Sequence, residues 1–343
     1  MAYTTIKKPS DYFNTKLYSG NGTAIGSGGN AITGVGFQPD WTWIKARNNG
    51  DESHYLFDAV RGVTKSIRSN GTGAEGTDAE TLTAFASDGF TLGNNGGVNS
   101  GSLNYASWNW KANGAGSSNT DGSITSTVSA NTTSGFSIVK WTADGSTSGT
   151  IGHGLGSTPK IVIYKRLDAA SSWYVVYTFV DNSQDYLLLE STAAKADLPS
   201  ATYGTATSST ISNIGFGNTN SMIAYCFAEV KGFSKFGSYV GNGNADGPFI
   251  YTGFKPAFII CKITNTASNW RMFDNKRLGY NVDNNPLYPN VTLVEGTEDN
   301  IDILSNGFKW RTTDGALNGS GSSYIYMAFA EEPLVGDNPA TAR

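Results

Sequence analysis

The chain repeats itself three times, and an internal repeat constrains architecture more tightly than composition can. Pro39, Pro159 and Pro256 anchor the copies. Upstream of them stand Tyr18, Trp141 and Tyr239, opening "YSGNG", "WTADG" and "YVGNG". Downstream come "HYLFD", "SWYVVY" and "NWRMFD", then "SDGF", "SNIGF" and "SNGF" ending at Phe90, Phe216 and Phe308. Each copy closes on an apolar run: "NYASWNW", "MIAYCF" and "YIYMAF". Landmarks in one order, three times, predict three copies of one structural unit.

Comparing the copies tells what the crowded "GFQPDWTWIK" is for. At the positions of Trp41 and Trp43 the other copies carry Ile161 and Ile163, and Phe258 and Ile260. An aromatic platform for sugars or bases does not tolerate isoleucine at both places, because isoleucine has no π face. The intervening positions are also largely apolar, so the run reads as a strand buried on both faces. Trp41 and Trp43 are therefore expected in a core. The closing strands behave alike, with Trp108, Tyr225 and Met327 on one period-2 face beside Trp110, Phe227 and Phe329.

Composition agrees with short strands joined by turns. Glycine supplies 42 of the 343 residues and charged residues only 15%, against roughly 25% in ordinary domains. The expected fold is all-β: three tandem related antiparallel β-sandwich modules. The boundaries are an N-terminal anchor segment at 1–11, modules at 12–111, 135–232 and 233–333, and a C-terminal tail at 334–343. Residues 112–134, rich in Gly, Ser, Asn and Thr, read as a flexible linker or one loosely attached strand. The second and third modules join directly and are expected to pack together. "ETLTAFASDG" (80–89) is expected to form a helical turn.

Charge and cysteine usage exclude several classes. With 24 basic and 28 acidic residues the net charge is −4, without long runs of one sign, so no nucleic-acid partner is expected. No run approaches the roughly 18 apolar residues of a membrane span, and the first residues lack the apolar run of a signal peptide. Cys226 and Cys261, each inside an apolar stretch, are expected as free core thiols.

Catalytic chemistry is sparse. His54 and His153 have no clustered partners that would make a triad or a zinc site. "GTGAEG" (71–76) lacks the strand and helix that give GxGxxG its meaning, and "NGNADG" (242–247) lacks the closing Glu of an EF-hand. Asp58 and Asp274 recur in two copies and are expected in structural ion pairs or turns. Lys45, Lys165 and Lys262 recur in all three, which points to a shared structural role with those carboxylates as candidate partners. A specific function should reside where the copies differ. The loop "NKRLGYNVDNNPLYPN" (275–290) of the third copy has the Tyr and Asn composition of adaptable binding loops, and Tyr280, Asn284 and Tyr288 are the expected ligand contacts. No catalytic residue, cofactor or metal is expected.

The phrases "MAYTTIKKPSDYF", "PDWTWIKARN", "GHGLGSTPKIVIYK", "FAEVKGFSKFGSYVGNGNADGPFIYTGFKPAFIICK" and "YIYMAFAEEP" resemble a β-rich repeat family of structural, tail-fibre-like virion proteins from marine tailed bacteriophages and cyanophages. The resemblance covers essentially the whole chain and implies a virion protein synthesised in the host cytoplasm. It implies a homo-oligomer with other tail or capsid proteins as partners, and a host-surface glycan or protein as the outer one. Three functions stay open: a tail fibre or receptor-binding appendage first, then a capsid decoration or head-fibre protein, then a polysaccharide-degrading spike.

Overall fold

The computed structural model describes residues 4–214, 218–277, 281, 284–298 and 300–341, and over them the chain is built almost entirely from β-strands. Three larger sheets share one strand order. In the first, Phe13–Ser19, Asn104–Trp110, Trp41–Ala46 and Tyr55–Asp58 lie side by side, every neighbour antiparallel. Phe136–Asp144, Asn218–Phe227, Ile161–Arg166 and Tyr174–Tyr177 follow the same order in the second. Ser234–Val240, Ser323–Pro333, Phe254–Ile263 and Arg271–Asp274 follow it in the third. Register recurs as well, since Trp41 faces Trp110, Ile161 faces Phe227 and Phe258 faces Phe329. The sequence landmarks thus coincide in backbone pairing, apart from Phe216, which lies outside the described residues.

Each larger sheet has a smaller one on one face. These are Asn30–Thr33 with Gly89–Leu92 and Leu82–Ala86, then Thr150–Gly152 with Thr210–Ser212, then Phe249–Tyr251 with Gly307–Trp310 and Ile301–Leu304. In the first pair, Ile44, Phe57 and Tyr105 meet Ile32 and Phe90 between the layers. The opposite face of every larger sheet turns into one apolar cluster that draws Trp41, Trp108 and Trp110 from the first, Ile161, Tyr225 and Phe227 from the second, and Phe258, Met327 and Phe329 from the third. This explains why strands such as Trp41–Ala46 are buried throughout: one face serves the local layer pair and the other the shared centre.

Trp41 and Trp43 are 1% and 2% exposed, and the Trp41 ring stacks on Tyr225 with centroids 4.4 Å apart. Truncating so large a buried ring costs about 3 to 5 kcal/mol.

Residues from different sheets also bond to one another. The Trp173 indole N–H donates to the Arg68 carbonyl at 3.0 Å, and Trp270 donates to the Leu188 carbonyl at 3.0 Å. First and third sheets meet through Ser69, whose Oγ donates to the Pro289 carbonyl at 2.7 Å, and through Arg47, whose guanidinium grips Glu295 with contacts of 2.7 and 3.1 Å. The contacts run from first to second, second to third and third back to first, so the three sheets close on themselves around the common cluster.

Several expectations change here. Residues 82–86 form a strand rather than a helical turn. The two-residue loop at Ser87 and Asp88 folds Leu82–Ala86 back on Gly89–Leu92, and pairing outweighs the weak helical preference of a short run. The stretch 112–134 supplies two strands, Ser117–Asn119 and Ser126–Asn131, and the second pairs with Phe136–Asp144 along its length. Gly116 adopts φ 81° against the Val128 backbone, a close approach that a side chain would prevent. Of the segment 1–11, Thr4, Ile6 and Pro9 are buried, and Ile6 belongs to the central cluster. The backbone N–H of Asp337 donates to the Lys7 carbonyl at 3.1 Å, tying the last residues to the first.

Candidate functional site

Of the three residues expected to contact a ligand, Tyr280 lies outside the described residues. Asn284 and Tyr288 are 3% and 8% exposed, so neither presents surface to a ligand. The Asn284 side-chain amide donates to the Ile301 carbonyl. The Arg271 guanidinium sits 4.5 Å from the centroid of the Tyr288 ring, whose hydroxyl lies 3.5 Å from Glu298. Burial, ahead of the opposing Arg271 charge, raises the Tyr288 pKa. Pro289 and Glu295 bind the first sheet, as described above, and the side chain of Asn285 donates to Glu295 at 2.9 Å. The loop that varies most between copies closes the ring of sheets.

The recurring charges form two kinds of interior site. Asp58 pairs with Arg61 and Asp274 with Arg277, in both cases across one turn of chain and with both side chains buried. Each arginine extends to a second carboxylate, Glu75 at 3.3 Å or Glu295 at 3.2 Å, and to a backbone carbonyl, that of Leu56 or Met272. Each aspartate also accepts a hydrogen bond from another sheet: Tyr225 Oη to Asp58 at 2.7 Å, and Trp108 Nε1 to Asp274 at 3.0 Å. Burial works to raise the Asp274 pKa, but the Arg277 charge and hydrogen bonds leave it below the usual carboxylate range. The sequence signal for both sites is the spacing D-x-x-R in "DAVR" and "DNKR", which Asp58 and Asp274 taken alone do not reveal.

Lys45, Lys165 and Lys262 do not pair with those aspartates. All three are fully buried and donate to backbone carbonyls: Lys45 to Ala46 at 2.6 Å, Lys165 to Thr72 at 3.0 Å and Ser171 at 2.9 Å, Lys262 to Ile263 at 2.7 Å. Burial lowers each ammonium to a pKa of about 8. Arginine outcompetes lysine for the carboxylate because its planar fork reaches Asp, Glu and a carbonyl together.

The histidines and thiols are interior as well. His54 Nδ1 accepts from Trp43 Nε1 at 2.9 Å, and His153 Nδ1 accepts from the Leu155 backbone N–H at 3.3 Å. Cys226 and Cys261 are free and buried, and burial pushes both thiols up to about 12.

Sequence reasoning also missed two buried asparagines. Asn99 donates to Gly93 and Asn21, and Asn318 donates to Thr312, Asn244 and Asn242, binding the "SGNG" and "VGNG" turns to the short helices Gly96–Asn99 and Gly315–Asn318. Aligning "VNSGSLNY" with "LNGSGSSY" would have found them.

Among the described residues, hollows of about 280 and 340 Å³ lie beside Ser66, Arg68 and Asn70 and beside Lys8, Asn14 and Lys276, while the centre is tightly filled. At the meeting point of the sheets, Trp41, Trp110, Phe227 and Phe258 help line a cavity of about 10 Å³, no more than the space one water needs and wholly apolar. Among the described residues no cluster of three His, Cys, Asp or Glu could hold a metal, and no helix is long and apolar enough to cross a membrane.

Surface chemistry separates the copies more sharply. On the outer face of the third small sheet, Phe249 and Tyr251 are 45% and 54% exposed. Lys309 stands opposite Phe249, and its Nζ contacts Asp246 at 2.8 Å. Arg311 bridges Asp246 at 2.8 Å and Asp302 at 2.6 Å. The corresponding residues of the first copy are Ala31 and Thr33, and in the second they are Thr150 and Gly152, where residues 123 and 124 run along the strand.

The fold is that of an all-β protein of packed antiparallel sheets. Residues 8–333 match a domain of unknown function, DUF7483, and the chain belongs to that family. Neither the curated proteins nor the solved structures show a significant match to it.

Proposed function

We propose that this protein is a structural component of a tailed-phage particle, a tail fibre or receptor-binding appendage that acts by binding rather than by catalysis. One observation carries the reading: the recurring Asp58 and Asp274 are buried in ion pairs and accept hydrogen bonds from another sheet, while the third small sheet turns Phe249 and Tyr251 to solvent. A glycosidase would need two carboxyl groups open to substrate, whereas Asp58 and Asp274 are each buried against an arginine. In this reading the chain comprises three related β-sandwich modules, works as a homo-oligomer alongside other virion proteins, and meets a host-surface molecule.

The closed arrangement also favours a second reading, a capsid decoration or head fibre, because Arg47 and Glu295 join the first and third sheets instead of leaving them in a row. Copy number separates the two. Tail appendages follow the low rotational symmetry of the tail and decoration follows the shell lattice. Quantitative mass spectrometry of purified particles, scaled to the major capsid protein, is expected to give one copy per tens of capsid subunits. One copy per few subunits would replace the appendage with decoration, and absence from the particle would remove both.

A further inference from the structure

We propose that the outer face of the third small sheet is a binding site for a neutral polyhydroxylated ligand, a hexose-based glycan. The proposal rests on reading the protein as one that binds rather than catalyses.

Strands Phe249–Tyr251, Gly307–Trp310 and Ile301–Leu304 form this sheet. Ile250, Phe308 and Ile303 point inward and are buried. Alternation therefore sends Phe249, Tyr251, Lys309 and Asp302 to the other side, and Arg311, two residues past Lys309, joins them. The Phe249 ring lies over Gly307 of the middle strand, where a side chain would first meet the Ile250 carbonyl, as one at the equivalent Gly89 would meet that of Ile32. The ring therefore rests on the sheet beside Tyr251. Two aromatic side chains alternate along an edge strand with a row of hydrogen-bonding groups next to them.

Chemistry selects the occupant. Lys309 and Arg311 are matched by Asp246 and Asp302 through contacts of 2.6 to 2.8 Å. Among the described residues, these two cations and two carboxylates give the patch donors and acceptors in equal charge. A phosphate backbone needs an excess of cations, which this face lacks. A second protein copy would bury roughly 800 Å² per partner with few charges at its centre, a poor fit to two rings flanked by four charged groups. A pyranose suits the combination, because its C–H face can lie on an aromatic ring while its hydroxyl rim meets carboxylate and guanidinium groups that are already oriented. The same scaffold offers Ala31, Thr33, Ala84 and Thr91 in the first copy, which supplies an internal control without rings or charges.

The test is calorimetric titration of the full chain with four neutral hexasaccharides: maltohexaose, cellohexaose, mannohexaose and N-acetylchitohexaose, each to millimolar concentration. Saturable binding of at least one is expected. Phe249→Ala and Arg311→Gln should each weaken it at least tenfold with an unchanged melting temperature, and Leu293→Ala, at another exposed apolar position, should leave it intact. Binding of none of the four overturns the proposal, as does binding that survives both variants. Salt-sensitive binding of heparin alone would assign the face to a polyanion. Concentration-dependent dimerisation abolished by Phe249→Ala, with no sugar bound, would assign it to a second copy. Copy number in the particle is independent of each outcome, so this site and the virion reading can fail separately.

Discussion

Trp173 and Arg68 lie 105 residues apart in sequence, yet the Trp173 indole N–H rests 3.0 Å from the Arg68 carbonyl. Trp270 makes the same bond to Leu188 at 3.0 Å. The third equivalent position is His54, whose neighbour across the junction is the Tyr288 backbone. His54 Nε2 forms no well-shaped hydrogen bond there, so the Tyr288 backbone only partly offsets what burial does to the ring. Of these three equivalent positions, this one carries a titratable side chain where the other two carry tryptophan.

Burial, with the charges of Lys45 and Arg277 adding to it, holds the His54 pKa well below its ordinary 6.5. The folded state keeps the ring neutral while the unfolded chain protonates near pH 6.5, so stability falls as pH drops through that value. His153, also lowered by burial, contributes in the same sense. Melting curves at pH 7.5 and 5 should show a smaller loss for His54→Gln than for the wild type. Equal losses would show that His54 remains free to protonate in the fold.

Lys45, Lys165 and Lys262 titrate near 8 when folded against 10.5 when unfolded. Between those values the unfolded chain binds more protons, so stability rises with pH across the window, by up to about 1.4 kcal/mol per pKa unit for each lysine. The prediction is a melting temperature that climbs from pH 8 towards 10, before buried tyrosines begin to oppose it. Replacing all three by Met should flatten the climb, and an unchanged slope would contradict the assignment.

Tyr225 and Tyr177 make a matched pair of tests. The Tyr225 hydroxyl donates to buried Asp58 at 2.7 Å, whereas the Tyr177 hydroxyl, at the place of Asp58 in the second copy, is buried with no hydrogen-bond partner among the described residues. Tyr225→Phe should cost about 1.5 to 3 kcal/mol, the range for a hydrogen bond to a charged group, while Tyr177→Phe should be neutral or stabilising. Chemical denaturation measures both, and comparable losses would mean that packing and not the hydrogen bond distinguishes them.

The thiols of Cys226 and Cys261, raised to about 12 by burial, should resist a thiol reagent in the native protein. Both should react in denaturant without reductant, because the thiolate is the attacking species and becomes accessible only there. Rapid labelling of the native chain would place at least one thiol at the surface.

Much of the fold was legible in the sequence. The all-β class and the burial of Trp41 and Trp43 follow from three copies in which bulk varies and apolarity does not, whereas strand order and register depend on the pairing of the sheets. The site was less legible. Tyr288 and Asn284 lie in a stretch whose composition suits a binding loop, and Tyr with Asn suits a buried junction equally well. In sequence "FIY" looks like any short strand, and the register with Gly307 and Lys309 shows that Phe249 and Tyr251 face out.

By itself the sequence determined the strands, their alternation and their threefold recurrence, since these depend on local periodicity and on comparisons within one chain. Tertiary structure decided what each buried face meets. It turned the second face of every larger sheet to a common centre, brought Glu295 to Arg47 across 248 residues, and set Arg61 and Arg277 rather than the buried lysines against Asp58 and Asp274. The physical reason is that alternation records only whether a side chain leaves water. Its partner is selected by shape, hydrogen-bond geometry and charge among residues that chain folding alone brings together.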